Sequence, residues 1–125
     1  MKRILIVDDS VDLLEAMEII LIQKGFKVQT LPSWHNIDSN IINFEPDLII
    51  LDIFLAGKDG REICKELRNK IESKYLCIMM FSASSKALED YSAYGADDFL
   101  EKPFGITYLI EKIERVLSSC KEKSF

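Results

Sequence analysis

Short β-branched apolar runs alternate along the chain with longer segments in which apolar residues recur at helical spacing. The runs predict strands over residues 3–7, 26–31, 47–51, 76–81 and about 97–101. The longer segments predict helices over residues 10–24, 34–43, 60–70, 85–94 and 106–118. Gly25 and Gly95 follow two of these helices and mark their ends. Because no internal repeat or low-complexity linker interrupts the pattern, the chain reads as one alternating unit.

Strict alternation of strands and helices is typical of βαβ units, whose parallel strands form a sheet covered by helices on both faces. We therefore predict an α/β, flavodoxin-like (βα)5 domain with a doubly wound, five-stranded parallel sheet. Right-handed crossovers leave few topologies, and among them we expect the strand order 2-1-3-4-5. The 125 residues suit one domain. We assign residues 1–120 to it and residues 121–125 to a short C-terminal tail.

Charge and composition exclude several classes of protein. A net charge of −5 disfavours non-specific nucleic-acid binding, and no apolar run approaches the roughly 20 residues of a membrane helix. The first residues meet the acidic pair Asp8–Asp9 at once and do not resemble a signal peptide. The three scattered cysteines argue against a disulfide framework and suit a reducing compartment. We expect a cytoplasmic protein that contacts neither nucleic acid nor membrane directly.

Ionisable and hydroxyl side chains stand at the ends of four predicted strands. Asp8 and Asp9 end the first strand, and Asp52 ends the third. Ser82 and Lys102 end the fourth and fifth strands. Because sites in such sheets lie at the carboxyl ends of the strands, we expect these residues to converge. Three ionised carboxylates repel one another, and a divalent cation together with Lys102 would relieve that repulsion.

This set of residue types favours Mg²⁺ and phosphoryl transfer. Mg²⁺ prefers oxygen ligands, takes few carboxylates and keeps several waters, which leaves a position for a phosphate oxygen. Asp52, within IILDIFL and before a glycine-containing loop, is then the candidate nucleophile and phosphorylation site. Lys102 and Ser82 would complete the catalytic set by stabilising the equatorial phosphoryl oxygens.

On these residues the chain resembles the receiver domains of response regulators in two-component signal transduction. The matching motifs are, in order, ILIVDDS, DLIILD followed by GKDG, MMFSAS and ADDFLEKPF. The resemblance covers essentially the whole chain. It implies a phosphoacceptor switch that catalyses only its own Mg²⁺-dependent phosphorylation and dephosphorylation and is not otherwise an enzyme. We expect a stand-alone receiver, as a monomer or weak homodimer; a fragment of a longer regulator or of a hybrid kinase would look the same in sequence.

The resemblance also implies a role for each matching residue. Asp52 would accept the phosphoryl group, and Asp9 would bind Mg²⁺ directly. Asp8 would bind Mg²⁺ directly or through water, and Asp52 and the backbone carbonyl of Phe54 would complete the metal site. Lys102 would pair with the phosphoryl group, next to a cis peptide bond to the following proline.

Ser82 and Phe99 occupy the switch positions of the family. Phosphorylation would draw Ser82 toward Asp52, and Phe99 would follow into the space vacated. That movement would alter the face formed by the fourth helix, the fifth strand and the fifth helix, where a downstream protein or output domain would bind. Because Phe99 lacks the hydroxyl of tyrosine, it can signal phosphorylation only through a change in packing. An equally good interpretation is that Phe99 is an ordinary core residue with no role in the switch.

Three positions near the site bear on how this chain compares with the family pattern. Ala56 stands where many relatives have proline, which frees the backbone after Asp52 without removing a catalytic group. Phe54 and Ser84, two residues past Asp52 and Ser82, lie where the family tunes the lifetime of the phosphoryl group. We expect the bulky Phe54 to hinder water and lengthen that lifetime.

The first predicted helix carries two apolar stripes. The predicted core stripe comprises Leu13, Met17, Ile20 and Leu21. A second stripe comprises Val11, Leu14 and Ile22. Because a surface helix needs only one such stripe, we expect the second to bind the histidine-containing domain of a sensor histidine kinase or a histidine phosphotransfer protein. Scattered surface residues are the alternative.

Three other functions compete with this interpretation. A pseudo-receiver would share the fold and bind proteins without being phosphorylated, but the complete acidic set argues against it. An aspartate-nucleophile phosphatase usually needs a second acid two residues after the nucleophile, where this chain has Phe54. A flavin-binding electron carrier needs a phosphate-cradling loop after the first strand, where Asp8 and Asp9 would repel the cofactor.

Overall fold

Five parallel strands form the central sheet. The computed structural model describes residues 1–123, and side chains of residues 1–120. The strands are β1 (Arg3–Val7), β2 (Lys27–Leu31), β3 (Leu48–Asp52), β4 (Cys77–Ser82) and β5 (Asp98–Glu101). They lie in the order β2-β1-β3-β4-β5, and every neighbouring pair is parallel. The predicted fold class and strand order are therefore confirmed.

Helices cover both faces of this sheet. They are α1 (Val11–Gln23), α2 (Ile37–Phe44), α3 (Gly60–Arg68), α4 (Ser85–Leu88) and α5 (Ile106–Lys123). One core packs α2, α3 and α4 against the sheet, and the other packs α1 and α5 against the opposite face. Every residue of β3 and β4 is buried, which explains why these strands read as continuous apolar runs rather than as alternating ones.

Two predicted helices differ from the observed ones. The segment 85–94 is not one helix, because α4 ends at Leu88 and a 3-10 turn follows over Tyr91–Tyr94. The fully buried residues belong to α4, whereas the 3-10 turn contacts the core through the partly buried Tyr91. At the end of the chain, α5 continues to Lys123 rather than ending at residue 118. Residues 124–125 of the predicted tail lie outside the described residues.

A small antiparallel hairpin separates β3 from α3 and was not predicted. Phe54–Leu55 pairs with Lys58–Asp59, and Gly57 takes a φ of 81° in the turn between them. The chain then passes so close to β3 that a Cβ atom at Gly60 would lie 2.1 Å from the carbonyl oxygen of Asp52. Glycine at position 60 therefore fixes where the loop after Asp52 rejoins the core.

The apolar stripes predicted on the first helix are wrong in part. Leu14 is 4% exposed and packs in the core together with Met17 and Leu21. Val11 and Ile22 are 54% and 53% exposed. The i, i+3, i+7 spacing of the three buried residues sets the inward face, and it turns Leu14 away from the solvent. Leu14 therefore cannot belong to an exposed docking stripe, whereas Val11 and Ile22 still can.

Two of the residues predicted for the core stripe are less buried than expected. Leu13 and Ile20 are half-buried rather than buried. They lie beside the observed inward face of α1. Because apolar residues occur on several sides of this helix, the sequence did not show which side faces the core.

The expectation that the cysteines are unlinked is also wrong. Cys77, the first residue of β4, forms a disulfide with Cys120 of α5, with a Cα–Cα distance of 5.8 Å. The two residues meet because α5 runs back along the sheet and approaches the start of β4. Cys64 is buried on α3. Among residues 1–123, no helix has both the length and the apolar character needed to cross a membrane.

Candidate functional site

Three ionisable side chains meet where β1, β3 and β5 end. The Nζ atom of Lys102 lies 2.7 Å from Oδ2 of Asp8 and 3.7 Å from Oδ2 of Asp52. Both carboxylates are buried, and the lysine is mostly shielded. One ammonium group therefore faces two carboxylates in an environment with little water, where their interaction is strong.

Asp9 extends this group into an acidic cluster. One carboxylate oxygen from each of Asp8, Asp9 and Asp52 lies within 4.8 Å of the others. Asp9 is exposed, so the cluster opens to solvent on one side. Three carboxylates with one ammonium group nearby leave negative charge in excess. The all-oxygen donor set therefore fits a hard divalent cation such as Mg²⁺.

The pKa of Asp52 reflects this crowding. Burial raises the pKa of Asp52 to about 6, and the negative charge of Asp8 contributes in the same direction. Lys102 and a long hydrogen bond from the N–H of Phe54, at 3.4 Å, oppose the increase. Without a cation, Asp52 thus holds its proton more tightly than an ordinary aspartate. Bound positive charge would favour its ionised form.

Helix capping does not account for the acidic pair. Ser10 caps α1, since its Oγ atom accepts a hydrogen bond of 3.4 Å from the N–H of Leu13. The N–H of Ser10 donates to Oδ1 of Asp8 at 2.8 Å. This bond orients Asp8 with one oxygen toward the backbone and the other toward Lys102.

Ser82 lies at the end of β4, beside this group. It is buried, and its Oγ atom accepts a hydrogen bond of 3.1 Å from the N–H of Ser84. Its carbonyl oxygen accepts one of 2.8 Å from the N–H of Lys102. The peptide bond between Lys102 and Pro103 is cis, as predicted. Backbone pairing thus fixes Ser82 next to Lys102, while the hydroxyl of Ser82 bonds within its own loop.

The loop after Asp52 receives a contact that the sequence did not indicate. The indole Nε1 of Trp34, between β2 and α2, donates a 3.2 Å hydrogen bond to the carbonyl oxygen of Ala56. Phe54 is 57% exposed and borders a cleft of about 330 Å³ that Asp9 also lines. The loops after β2 and β3 lie at the same edge of the sheet. The predicted strand order placed both loops there, but nothing in the sequence showed that Trp34 would contact Ala56.

Comparisons with known proteins agree with this arrangement. A family model described as the response regulator receiver domain matches residues 4–114. The chemotaxis response regulator CheY4 of Vibrio cholerae is 27% identical, with a TM-score of 0.84 over 93% of this chain and 98% of that one.

Two further structures share the fold, one of them within a much longer chain. NtrX from Brucella abortus is 32% identical, with a TM-score of 0.89, and the match covers 98% of this chain but 28% of that one. The signal receiver domain of a signal transduction histidine kinase from Syntrophus aciditrophicus is 26% identical, with a TM-score of 0.83 over 95% of this chain and 92% of that one. The matched family and the cluster at the sheet edge lead to one conclusion: the chain belongs to the receiver domains of two-component response regulators.

Proposed function

We propose that this receiver domain is a phosphoacceptor switch in which Asp52 accepts a phosphoryl group from a histidine of a sensor kinase or phosphotransfer protein. A carboxylate oxygen of Asp52 would form a bond to phosphorus as the bond to the leaving histidine nitrogen breaks. The observation that carries the proposal is the position of Lys102, with Nζ 2.7 Å from Asp8 and 3.7 Å from Asp52.

The acidic cluster would hold the metal. The carboxylates of Asp8, Asp9 and Asp52, with the backbone carbonyl of Phe54, would bind Mg²⁺. When bound there, Mg²⁺ supplies positive charge for the phosphoryl oxygens and lowers the repulsion among the carboxylates. The N–H of Ser10 keeps Asp8 oriented for this role through its 2.8 Å hydrogen bond.

Lys102 and Ser82 would stabilise the transferred group. The ammonium of Lys102 already lies between the two carboxylates and needs only a small displacement from Asp8 to pair with a phosphoryl oxygen. The hydroxyl of Ser82 accepts a hydrogen bond from a backbone N–H, so its own proton remains available to donate. Donors prearranged in a poorly hydrated site are worth more than the same groups in water.

The switch and the partner surfaces complete the proposal. Movement of Ser82 and Phe99 would alter the face formed by α4, β5 and α5, to which a downstream protein or output domain would bind. Val11 and Ile22, exposed on α1, would bind the histidine-containing partner. Absence of direct nucleic-acid or membrane contact, a monomer or weak homodimer, and a cytoplasmic location stay predictions from the sequence.

Intact-mass measurement with acetyl phosphate tests the chemistry. We expect the protein to gain one phosphoryl group with Mg²⁺ and none with a chelator, and Asp52→Asn to gain none. Asp38→Asn is the matched control, because Asp38 lies on α2 and pairs with Lys70, and it should behave like the parent. A folded parent that gains no mass would favour the pseudo-receiver, an interaction module that works without phosphorylation.

A further inference from the structure

A lysine lies on the inward face of α5. The buried residues Leu109, Ile113 and Val116 define that face, and Lys112 shares it with only 5% of its surface exposed. Charged residues are rarely buried to this extent unless they are paired. The partner is Asp98, whose Oδ1 atom lies 2.9 Å from Nζ of Lys112.

The same carboxylate aims Lys112 at the switch ring. Oδ1 of Asp98 also accepts a hydrogen bond of 2.8 Å from the N–H of Phe99. The ammonium of Lys112 is therefore held beside the backbone of Phe99, and it lies 4.2 Å from the centre of the Phe99 ring. A cation at this distance over an aromatic face is attracted by it, more strongly when both are shielded from water.

The ring of Phe99 is thus held on two sides at the open edge of the sheet. Lys112 comes from α5, which packs on one face, whereas Phe99 packs with the core on the opposite face. On that face the ring of Tyr91 lies 4.9 Å from the Phe99 ring, at an angle of 45°. Phe99 of β5 pairs with Met80 of β4. Because Met80 comes two residues before Ser82 in β4, both lie on the same face of the sheet, and Ser82 lies farther along that face from the Phe99 ring.

We infer that Lys112 is a positioning residue of the switch: its ammonium stabilises Phe99 at the sheet edge and thereby opposes the phosphorylated conformation. A ring that moves toward Ser82 leaves the ammonium and loses this attraction. Lys112 therefore sets how much of the protein occupies the active conformation before phosphorylation. The inference rests on the proposed function, since it concerns the equilibrium that phosphorylation of Asp52 shifts.

The test measures binding of beryllofluoride, a stable mimic of the phosphoryl group, with Mg²⁺ by ¹⁹F NMR titration. Because apparent affinity rises with the populated fraction of the binding-competent conformation, Lys112→Met should bind beryllofluoride about threefold to tenfold more tightly than the parent. Lys112→Arg keeps a cation over the ring and should stay within about twofold of the parent.

Dependence on Phe99 separates positioning from general stabilisation. In a Phe99→Leu background, Lys112→Met should change the affinity by less than about twofold, since the aromatic face at position 99 is gone. The ring of Tyr108, whose centre lies 5.9 Å from Nζ of Lys112, is present in both backgrounds. The double variant Lys112→Met, Asp98→Asn avoids a buried unpaired carboxylate and should show the same tightening, which guards against poor folding of the single variant.

Two results would overturn the inference. One is an unchanged or weaker affinity in both Lys112→Met and the double variant, while the parent binds. The other is an equal gain in the Phe99→Leu background. A folded parent that binds no beryllofluoride at all would instead overturn the proposed function, and the inference with it.

Discussion

The ammonium of Lys102 and the carboxylate of Asp8 form an ion pair of 2.7 Å between residues 94 positions apart in the chain. The pair joins the ends of β5 and β1, which are separated in the sheet by β3 and β4. The second carboxylate, that of Asp52, lies 3.7 Å from the same Nζ atom. Lys102 therefore compensates two buried acids at once, and its loss leaves both without a cation.

Replacement of Lys102 should affect both stability and chemistry. In Lys102→Met without metal at pH 7, we expect the free energy of unfolding to fall by about 2–3 kcal/mol, since two buried carboxylates lose their partner. Added Mg²⁺ should restore part of it. Phosphorylation by acetyl phosphate should slow by about 10²-fold, as when one charge-stabilising donor is removed from an active site. Urea denaturation and intact-mass kinetics measure the two effects.

Lys70→Met is the matched control for that variant. Lys70 also forms a 2.7 Å ion pair, with Asp38, but both side chains are exposed. Exposed pairs contribute little to stability, so this variant should match the parent in both measurements. If Lys102→Met also matched the parent, Lys102 would have no role in the site.

The raised pKa of Asp52 predicts a pH-dependent effect of Asp52→Asn. The pKa rises from 3.8 to about 6 on folding, so the native state binds this proton more tightly than the unfolded chain. The stabilisation is present below pH 3.8 and is lost as the pH rises through 6. At pH 7 without metal, Asp52→Asn should therefore be more stable than the parent, by up to about 3 kcal/mol.

Urea denaturation of parent and variant at pH 4 and pH 7 measures this difference. The gain in free energy of unfolding from Asp52→Asn should be large at pH 7. It should be small at pH 4, where the native carboxyl of Asp52 is already protonated. Added Mg²⁺ should shrink it at pH 7, because the cation binds the ionised parent. An equal difference at both pH values would show that ionisation of Asp52 has no part in it.

The exposed residues of α1 give a prediction about the partner. Val11→Glu with Ile22→Glu should slow phosphotransfer from a histidine kinase about tenfold or more and leave phosphorylation by acetyl phosphate unchanged. Ile42→Glu on α2, also at an exposed apolar residue, is the matched control. Unchanged transfer from the kinase in the double variant would remove α1 from the docking surface.

Unlike the exposed Val11 and Ile22, Leu14 on α1 is expected to contribute to stability rather than to docking. Because it is buried in the core, Leu14→Ala should lower the free energy of unfolding by about 2–4 kcal/mol. Thermal or urea denaturation measures the loss. A Leu14→Ala variant as stable as the parent would contradict the burial of this side chain and return Leu14 to the candidate docking residues.

Parallel topology explains what the sequence could predict. In a doubly wound sheet the carboxyl ends of the strands share one edge, so Asp8, Asp52 and Lys102 could be placed together from strand positions alone. The rotation of α1 could not be predicted, because apolar residues such as Leu13 and Leu14 are adjacent and compete for the inward face. The burial of Lys112 was equally hidden, since a lysine at a core spacing reads as solvent-exposed until its partner Asp98 is known.

The disulfide between Cys77 and Cys120 is the other feature that needed the folded structure, and it predicts a measurable stabilisation. The residues lie 43 positions apart, and closure of a loop of that length restricts the unfolded chain by about 4 kcal/mol. Reduction should lower the free energy of unfolding of the parent by that amount. Cys120→Ser should already have the lower stability and should not respond to the reductant.

Counting thiols decides whether the disulfide is present in the protein as purified. The chain has three cysteines, so alkylation under denaturing conditions without a reductant should modify Cys64 alone, and all three residues after reduction. Three modified cysteines without a reductant would show that Cys77 and Cys120 are not joined. The stability of the parent should then be insensitive to reductant, because the closed loop that restricts the unfolded chain would not exist.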